Sequence, residues 1–511
     1  MKKIIEKLNK ITLKYGFVFE FICAIIFSFA ALKFIIYSNY YAHKSYINLA
    51  LMIFTGICIA YIMILNTIKN KDKLERLFVS YIIPIGAVFT IFMIPGFVAD
   101  EPAHMYRAYD ISNGTIITPI DENGNSSTTI PKDLDLNDRE KFNSYKILLD
   151  RLNKTTDYTD TEEVWSPAQG YNFIMYVFSS AAFLIGRLTG LNIFYTIYLA
   201  RILNFIFFVI MGYYAIKKLP FAKFVFFVYL FNPMLIHQAA SVSADSIINT
   251  VTLYFIASTM NLMFKKDEIN KKEKIIYFIT ALIVSVAKYV YFPLVVLSLL
   301  LMKKENKKGK YLVVSLIVIS LLFAGASFVI GNRYKGPETA SEVVSNINAA
   351  GQVKFIITHP IQYIKVIGNT IIQFFEYYFN GFNGRYLGWL NIFVNPLPVC
   401  LYAVLLGLTI LFEKNEIDLK LIQRLFFIGI FVLIALLIFT GMYMSCSDVG
   451  ADGILGVQGR YFIPIVILLM IALIKNGKYI EYKYTTQVYT ILLLLCVNLP
   501  VIITIKNFFV R

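Results

Sequence analysis

Charged residues are scarce in this sequence of 511 residues. They make up 16% of the chain, against about 25% in soluble proteins, while hydrophobic residues make up 58% and the mean hydropathy is +0.65. This balance excludes a soluble globule, a disordered chain and a collagen-like fibre. It is typical of an all-α polytopic membrane protein, in which each helical span needs about 20 apolar residues.

Cysteine and histidine are also rare, with 5 and 4 residues. No cysteine pair has the CxxC spacing and no histidines lie at metal-ligand spacing, so neither a disulfide framework nor a zinc site is predicted. The net charge of +16 comes from Lys and Arg in short loops between apolar runs, a pattern typical of cytoplasmic loops rather than of nucleic-acid binding. We therefore expect no nucleic-acid partner and no definite cofactor, although the acidic residues leave room for Mg²⁺ or Mn²⁺.

The apolar runs and the basic loops between them predict about 13 transmembrane helices, with the N-terminus inside and the C-terminus outside. Three segments follow from this topology. Residues 1–76 form a two-helix N-terminal addition, residues 77–474 form the main transmembrane module, and residues 475–511 form a C-terminal span. Two long outer loops interrupt the module, at residues 98–191 and 331–391.

Some apolar stretches do not fit simple spans. Tyr171–Leu191 and Phe355–Phe379 are apolar enough to cross the membrane, but we predict that both lie in the interface, because a spanning 171–191 would put later lysines outside. The run Ile275–Met302 begins and ends beside lysine clusters, which predicts two short helices that meet at Lys288–Pro293. Phe221–His237 is predicted to be one span.

The first outer loop is acidic, with 14 Asp or Glu and 7 Lys or Arg between Val98 and Trp165. Its sharpest motif is DEPAH, at Asp100–His104. The proline fits the first turn of a helix that the two acids precede, and Arg107 lies on the same helical face as His104. Ionisable groups at membrane depth are costly and usually functional, but these acids could also simply cap an interfacial helix.

Other polar residues converge on the same outer face in this topology. Three of them have an ordinary alternative role: Asp245 as an N-cap, Lys288 as a side chain that reaches the headgroups, and Arg460 as an interfacial anchor. The remaining candidates lie at outer ends of spans or at the outer interface: Arg385, Gln458 and Trp165.

The segment DEPAHMYRAYDISNG resembles the opening motif of a family of predicted bacterial membrane proteins classed as a domain of unknown function, DUF2142. The similarity continues through WSPAQGYNFIMYV, ARILNFIFF, LPFAKFVFFVYLFNPMLIHQAASVSADSIIN, KYVYFPL and GVQGRYFIP, roughly from Leu77 to Ile474. That family in turn resembles the GT-C glycosyltransferases, which include protein O-mannosyltransferases and aminoarabinose transferases. The resemblance implies an acidic motif after a span, surface-lying helices, a second acid at Asp245 and a basic residue at Lys288.

The expected function is therefore transfer of a sugar from a polyprenyl-phosphate carrier to an envelope glycan, lipid or protein at the outer face of the bacterial cytoplasmic membrane, with inversion. Asp100 would act as the base, Glu101 and His104 would orient the acceptor, and Asp245 would support the acceptor or a cation. Residues expected to bind the phosphate or the carrier are Arg107, Lys288, Arg460, Gln458, Arg385 and Trp165.

Two other classes stay open at this point. A transporter or flippase of lipid-linked glycans would also need many spans and buried charges, although no inverted repeat is visible. An envelope glycan polymerase or ligase that uses the same carriers would share the topology, and a binding-only scaffold is a further alternative.

Overall fold

A computed structural model describes residues 2–41, 45–121, 126–137, 143–265, 267–303, 306–334, 347–414, 416–417, 419–475, 477, 480 and 484–510. These residues are mostly helical. In chain order the α-helices are α1 (Lys2–Tyr40), α2 (Tyr46–Lys69), α3 (Leu74–Phe92), α4 (Glu101–Ser112), α5 (Tyr145–Leu152), α6 (Val177–Thr189), α7 (Ile193–Lys218), α8 (Lys223–Tyr229), α9 (Pro233–Ala239), α10 (Ala244–Phe264), α11 (Lys271–Ala287), α12 (Lys307–Gly331), α13 (Ala349–Thr358), α14 (Pro360–Phe382), α15 (Pro396–Phe412), α16 (Leu421–Cys446), α17 (Ile463–Leu473), α18 (Thr485–Ile491) and α19 (Leu499–Phe509).

Short strands and tighter helices complete the described elements. Strand β1 (Thr128–Pro131) pairs antiparallel with β2 (Thr161–Val164), and β3 (Tyr386–Leu387) pairs antiparallel with β4 (Ile392–Phe393). Both hairpins fall in or beside the two predicted outer loops, of which residues 122–125, 138–142 and 335–346 lie outside the described part. The 3-10 helices are Lys132–Leu134, Phe173–Tyr176, Tyr289–Lys303 and Gly459–Phe462, and a π-helix, Leu492–Asn498, joins α18 to α19.

Eight helices among the described residues are long and apolar enough to cross a membrane. They are α1 from Lys14 onward, α2, α3, α7, α10, α12, α16 and the continuous helical stretch Thr485–Phe509. Helices α10 and α3 form the centre of the bundle. Of the 18-residue apolar stretch in each helix, 89% is buried in α10 and 72% in α3, but only 17% in α2 and 22% in α12. The protein is thus a polytopic helical membrane protein whose outer helices present apolar surface to lipid.

The other five of the roughly 13 predicted spans form shorter or interrupted helices. The clearest difference from the prediction is Phe221–His237, which is not one helix but two, α8 and α9. The break precedes Pro233, because proline has no N–H to donate and disfavours helical geometry in the residue before it. Asn232 then caps α9 by accepting a hydrogen bond from the Leu235 N–H at 3.0 Å.

The two predicted interfacial stretches also form helices that do not qualify as spans. The first comprises the 3-10 helix Phe173–Tyr176 and α6, and α6 packs against both α7 and α4. Arg187 at the end of α6 donates a 2.8 Å hydrogen bond to the Ser112 carbonyl at the end of α4. The second stretch becomes α13 and α14, which meet at His359–Pro360.

The two ends of the bundle differ in charge. Helix α10 carries Asp245 in its first turn, and Lys265 follows its last residue. Its 21 residues extend about 31 Å, close to the thickness of the hydrocarbon core. Lys218, which donates to the Tyr254 hydroxyl at 2.7 Å, marks the same end as Lys265. We call these the acidic end and the lysine end of the bundle.

Candidate functional site

Asp100 stands between α3 and α4 at the acidic end of the bundle. It is the N-cap residue of α4, but its backbone has φ 64°, and its side chain makes no capping hydrogen bond. Left-handed geometry costs a non-glycine residue about 1–3 kcal/mol, and Asp and Asn tolerate it best. The carboxylate is thereby turned away from the helix, with its side chain 49% exposed.

The next residue, Glu101, is fully buried and forms an ion pair with Arg201 of α7, with 2.6 Å between Glu101 Oε2 and Arg201 Nη2. Its two oxygens also accept hydrogen bonds from the N–H groups of Gly96 and Val242, each at 2.9 Å. Arg201 uses its other donors on three carbonyl oxygens at the C-terminal end of α3: Thr90, Met93 and Ile94.

This buried pair connects four parts of the chain. Glu101 holds the segment after α3, the start of α4, helix α7 and the loop before α10, where Val242 lies three residues before Asp245 of α10. Because both oxygens of Glu101 are occupied by these donors, the geometry favours a positioning role for it over the predicted contact with an acceptor. Arg201 was not among the predicted site residues, although a single arginine inside the apolar run Asn192–Ile216 was a usable signal.

Arg460 brings the two other acids together. Its Nη2 donates to Asp100 Oδ2 at 2.5 Å, and its Nε lies 3.9 Å from Asp245 Oδ2. The preceding Gly459 lies directly against α14, where an added Cβ would stand 2.1 Å from the Tyr378 carbonyl oxygen. Arg460 therefore reaches the acids only because residue 459 has no side chain.

Two buried polar atoms where Arg460 meets the two acids lack a hydrogen bond within the described part of the chain. They are Arg460 Nε and Gln458 Oε1. Buried polar atoms are normally hydrogen-bonded to protein or water, so these two are suited to contact a ligand.

His104 lies one turn after Asp100 on α4. One ring nitrogen, Nδ1, is 2.7 Å from the Tyr176 hydroxyl, and the ring packs edge-on against Tyr171 at 5.4 Å between centroids. Burial lowers the pKa of His104 more than Asp100 and Asp245 raise it, so the imidazole is neutral at neutral pH. Burial raises the pKa of Asp100, but the charge and hydrogen bond of Arg460 and the charge of Lys288 lower it, and the net pKa lies below the ordinary value.

Lys288 stands at the junction of α11 and the 3-10 helix Tyr289–Lys303, the position at which the sequence predicts a break. Its backbone is extended there, at φ −159° and ψ 121°. The ammonium lies 4.6 Å from the ring centroid of Tyr461, whose backbone carbonyl accepts the Tyr291 hydroxyl at 2.9 Å. Tyr171 and Asp245 also lie near this amine. We call Asp100, His104, Asp245, Lys288 and Arg460 the charged cluster.

The other predicted residues lie outside the charged cluster. Arg107 is buried and closes the turn after α4 by donating to Asp110 Oδ2 at 3.0 Å and to the Thr118 hydroxyl at 3.1 Å. Arg385 lies 3.7 Å from Glu376. Trp165 follows β2, and its neighbour Ser166 donates to the Ala103 carbonyl of α4 at 2.9 Å.

The charged cluster opens beside a cavity of about 230 Å³. Tyr171 and Lys288 line both the cavity and the cluster, and the far wall comes from the end of α12 around Phe328 and Gly331. As to metals, no group of three or more His, Cys, Asp or Glu side chains within the described residues could hold an ion. Asp100 and Asp245 instead share Arg460.

The fold and the site thus define a polytopic helical membrane protein with an ion-paired charged cluster at one end of its bundle. A family model described as Predicted membrane protein (DUF2142) matches residues 83–469, more than half of the chain. The chain belongs to this family, and every residue of the charged cluster lies within the matched range. No curated protein and no solved structure matches the chain.

Proposed function

We propose that the protein is a GT-C-type membrane glycosyltransferase. It moves a sugar from a polyprenyl-phosphate carrier to a hydroxyl of an envelope glycan, lipid or protein at the outer face of the bacterial cytoplasmic membrane. The observation that carries this is the pair Asp100 and Asp245 around the buried Arg460, with Lys288 at the same opening. A carboxylate that accepts a proton and cations that hold a phosphate are the two groups this reaction needs.

In the proposed step the acceptor oxygen forms a bond to the anomeric carbon while the bond from that carbon to the phosphate oxygen breaks. The acceptor proton goes to Asp100, and the phosphate leaves on the carrier lipid. Because its pKa lies below the ordinary value, Asp100 is ionised at neutral pH and ready to accept the proton. A single base on one side of the sugar gives inversion. Glu101 and Arg201 do not touch the substrate and only hold Asp100 in place.

Lys288 is the cation best suited to the carrier phosphate. Arg460 already has two acids beside it, whereas among the described residues the ammonium of Lys288 lies over a tyrosine ring and in no ion pair. A phosphate between these two cations would leave the adjacent cavity for the first part of the carrier or for the sugar.

The test uses the purified full chain in detergent with a panel of radiolabelled polyprenyl-phosphate sugars. We expect one donor to release polyprenyl phosphate, and Asp100→Asn to lower this rate about 10²–10⁴-fold, because a positioned base contributes that much. Asparagine accepts left-handed geometry, so the backbone is retained. The matched control is Asp160→Asn, which removes only a surface pair with Lys132. Absence of turnover with every donor, or full activity of Asp100→Asn, would contradict the proposal.

A second variant tests the phosphate site. Lys288→Met should raise KM for the donor about 10- to 100-fold, since a hydrogen bond to a charged group contributes about 1.5–3 kcal/mol. Lys217→Met, at the lysine end, removes the same charge and should leave KM unchanged. Equal KM values for Lys288→Met and the wild type would place the phosphate elsewhere.

A further inference from the structure

The turn that joins β3 to β4, residues 388–391, lies against the chain between α3 and α4. The carbonyl of Gly388 accepts a hydrogen bond from the N–H of Ala99 at 3.1 Å. Trp389 donates through Nε1 to the carbonyl of Gly96 at 2.9 Å. The turn therefore holds both ends of the four residues from Gly96 to Ala99, which immediately precede the base of the proposed reaction.

Helix α9 holds this turn from the other side. His237 of α9 is 2% exposed, and its Nε2 accepts a hydrogen bond from the N–H of Gly388 at 3.2 Å. Nε2 can accept only in a neutral imidazole whose proton is on Nδ1. One turn earlier on α9, an added Cβ at Gly384 would stand 2.8 Å from Pro233 Cβ. The chain thus follows α9 closely from Gly384 to Gly388, and this short helix sets the position of the hairpin turn.

The backbone groups of Gly96 and Ala99 are bound from two directions. Arg460 Nη1 donates to the carbonyl of Ala99 at 3.4 Å, and Glu101 Oε2 accepts from the N–H of Gly96 at 2.9 Å. The two remaining groups, the Gly96 carbonyl and the Ala99 N–H, bind the hairpin turn. Neither residue can rotate without breaking one of these four hydrogen bonds, and half of them depend on the turn.

We propose that the hairpin turn positions Asp100 for sugar transfer, with His237 and Trp389 as the positioning residues. This role rests on the glycosyltransferase function proposed above, which makes Asp100 the base. The left-handed backbone of Asp100 persists only where surrounding contacts fix it, and the turn fixes the residue before it. Release of Ala99 would let the carboxylate move away from Arg460, and a displacement of about 1 Å is enough to lower a rate about 100-fold.

The first test is Trp389→Phe in the purified full chain, with the donor that the wild type accepts. The variant keeps an aromatic ring and loses the N–H that binds Gly96. We expect kcat to fall about tenfold, as for the loss of one neutral hydrogen bond, and KM for the donor to stay the same, because Lys288 is unchanged. The acid limb of the pH–rate profile should move to higher pH, since a carboxylate farther from Arg460 has a higher pKa.

The second test is a pair of variants at His237. In His237→Gln the side-chain oxygen can accept the N–H of Gly388, whereas His237→Leu has no acceptor. We expect His237→Leu to lower kcat as Trp389→Phe does, and His237→Gln to retain the wild-type kcat. The matched control is Tyr158→Phe, which removes a donor to the Leu191 carbonyl at 2.7 Å and should leave kcat unchanged.

Hydrogen–deuterium exchange gives a readout that needs no activity. The N–H of Ala99 should exchange faster in Trp389→Phe and His237→Leu than in the wild type, and at the wild-type rate in His237→Gln and Tyr158→Phe. Absence of transfer by the wild type would contradict the proposed function. Transfer by the wild type with an unchanged kcat in Trp389→Phe and His237→Leu would overturn the positioning role alone, and equal exchange of Ala99 in all five proteins would overturn it in either case.

Discussion

Changing Glu101 to Gln tests whether the two adjacent acids of the DEPAH motif have different roles. Glu101 is 0% exposed and its partner Arg201 is also 0% exposed, so the variant leaves a buried guanidinium without its counter-ion. Removing one partner of a buried pair costs about 3–5 kcal/mol, a large part of the roughly 5–15 kcal/mol that keeps a protein folded. The Gln amide would also point a donor at N–H groups that now donate to the carboxylate.

The neighbouring variant Asp100→Asn should behave in the opposite way. The Asp100 side chain is 49% exposed, so solvent screens its pair with Arg460, and the loss should be under about 1 kcal/mol. Both variants are heated in detergent, and the fraction that stays monodisperse is measured by size-exclusion chromatography beside the transfer assay. We expect Glu101→Gln to lose heat stability, and Asp100→Asn to lose activity alone. A Glu101→Gln protein as stable as the wild type but inactive would refute the positioning role and make Glu101 part of the chemistry.

Two more variants test packing, one beside the charged cluster and one at the start of α8. Gly459→Ala should abolish transfer by displacing Arg460, since the new Cβ meets the α14 backbone, whereas Gly453→Ala has open space and should be normal in the same assays. Burial raises the pKa of Glu413 to about 7. The hydrogen bonds that its carboxylate accepts from N–H groups at the start of α8 lower the pKa, but by less than burial raises it. The folded protein then binds more protons than the unfolded chain between pH 4.5 and 7, so stability should fall by up to about 3 kcal/mol as pH rises through this window, and Glu413→Gln should remove that slope in heat-stability curves.

The sequence was sufficient for the parts that depend on local pattern. The helix that follows Asp100 and the interruption at Lys288 both follow from proline and charge placement along the chain. The prediction for Phe221–His237 failed because hydropathy alone does not register that α8 ends at Tyr229 and that Asn232 and Pro233 begin a new helix. Hydropathy also fails to distinguish a short helix that is buried on all sides from a transmembrane helix, since both are apolar throughout.

The charged cluster was predictable as a list but not as a geometry. Each acid and base interrupts an apolar run, which marks it as unusual, yet nothing local shows that Arg460 approaches Asp100. That approach depends on Gly459 against α14, a contact between segments about 80 residues apart in the chain. Arg201 was overlooked for the same reason, because its partner is 100 positions away.

The left-handed backbone of Asp100 follows from this long-range packing. A strain of about 1–3 kcal/mol persists only where the surroundings over-determine the conformation. Here Glu101 supplies that constraint, because its carboxylate is held by Arg201 and by two backbone N–H groups and cannot turn outward without exposing a buried charge. With residue 101 fixed, the left-handed backbone of Asp100 places its carboxylate beside Arg460. In the proposed mechanism the two adjacent acids therefore divide the roles: Glu101 is buried and positions the backbone, and Asp100 is accessible to the acceptor.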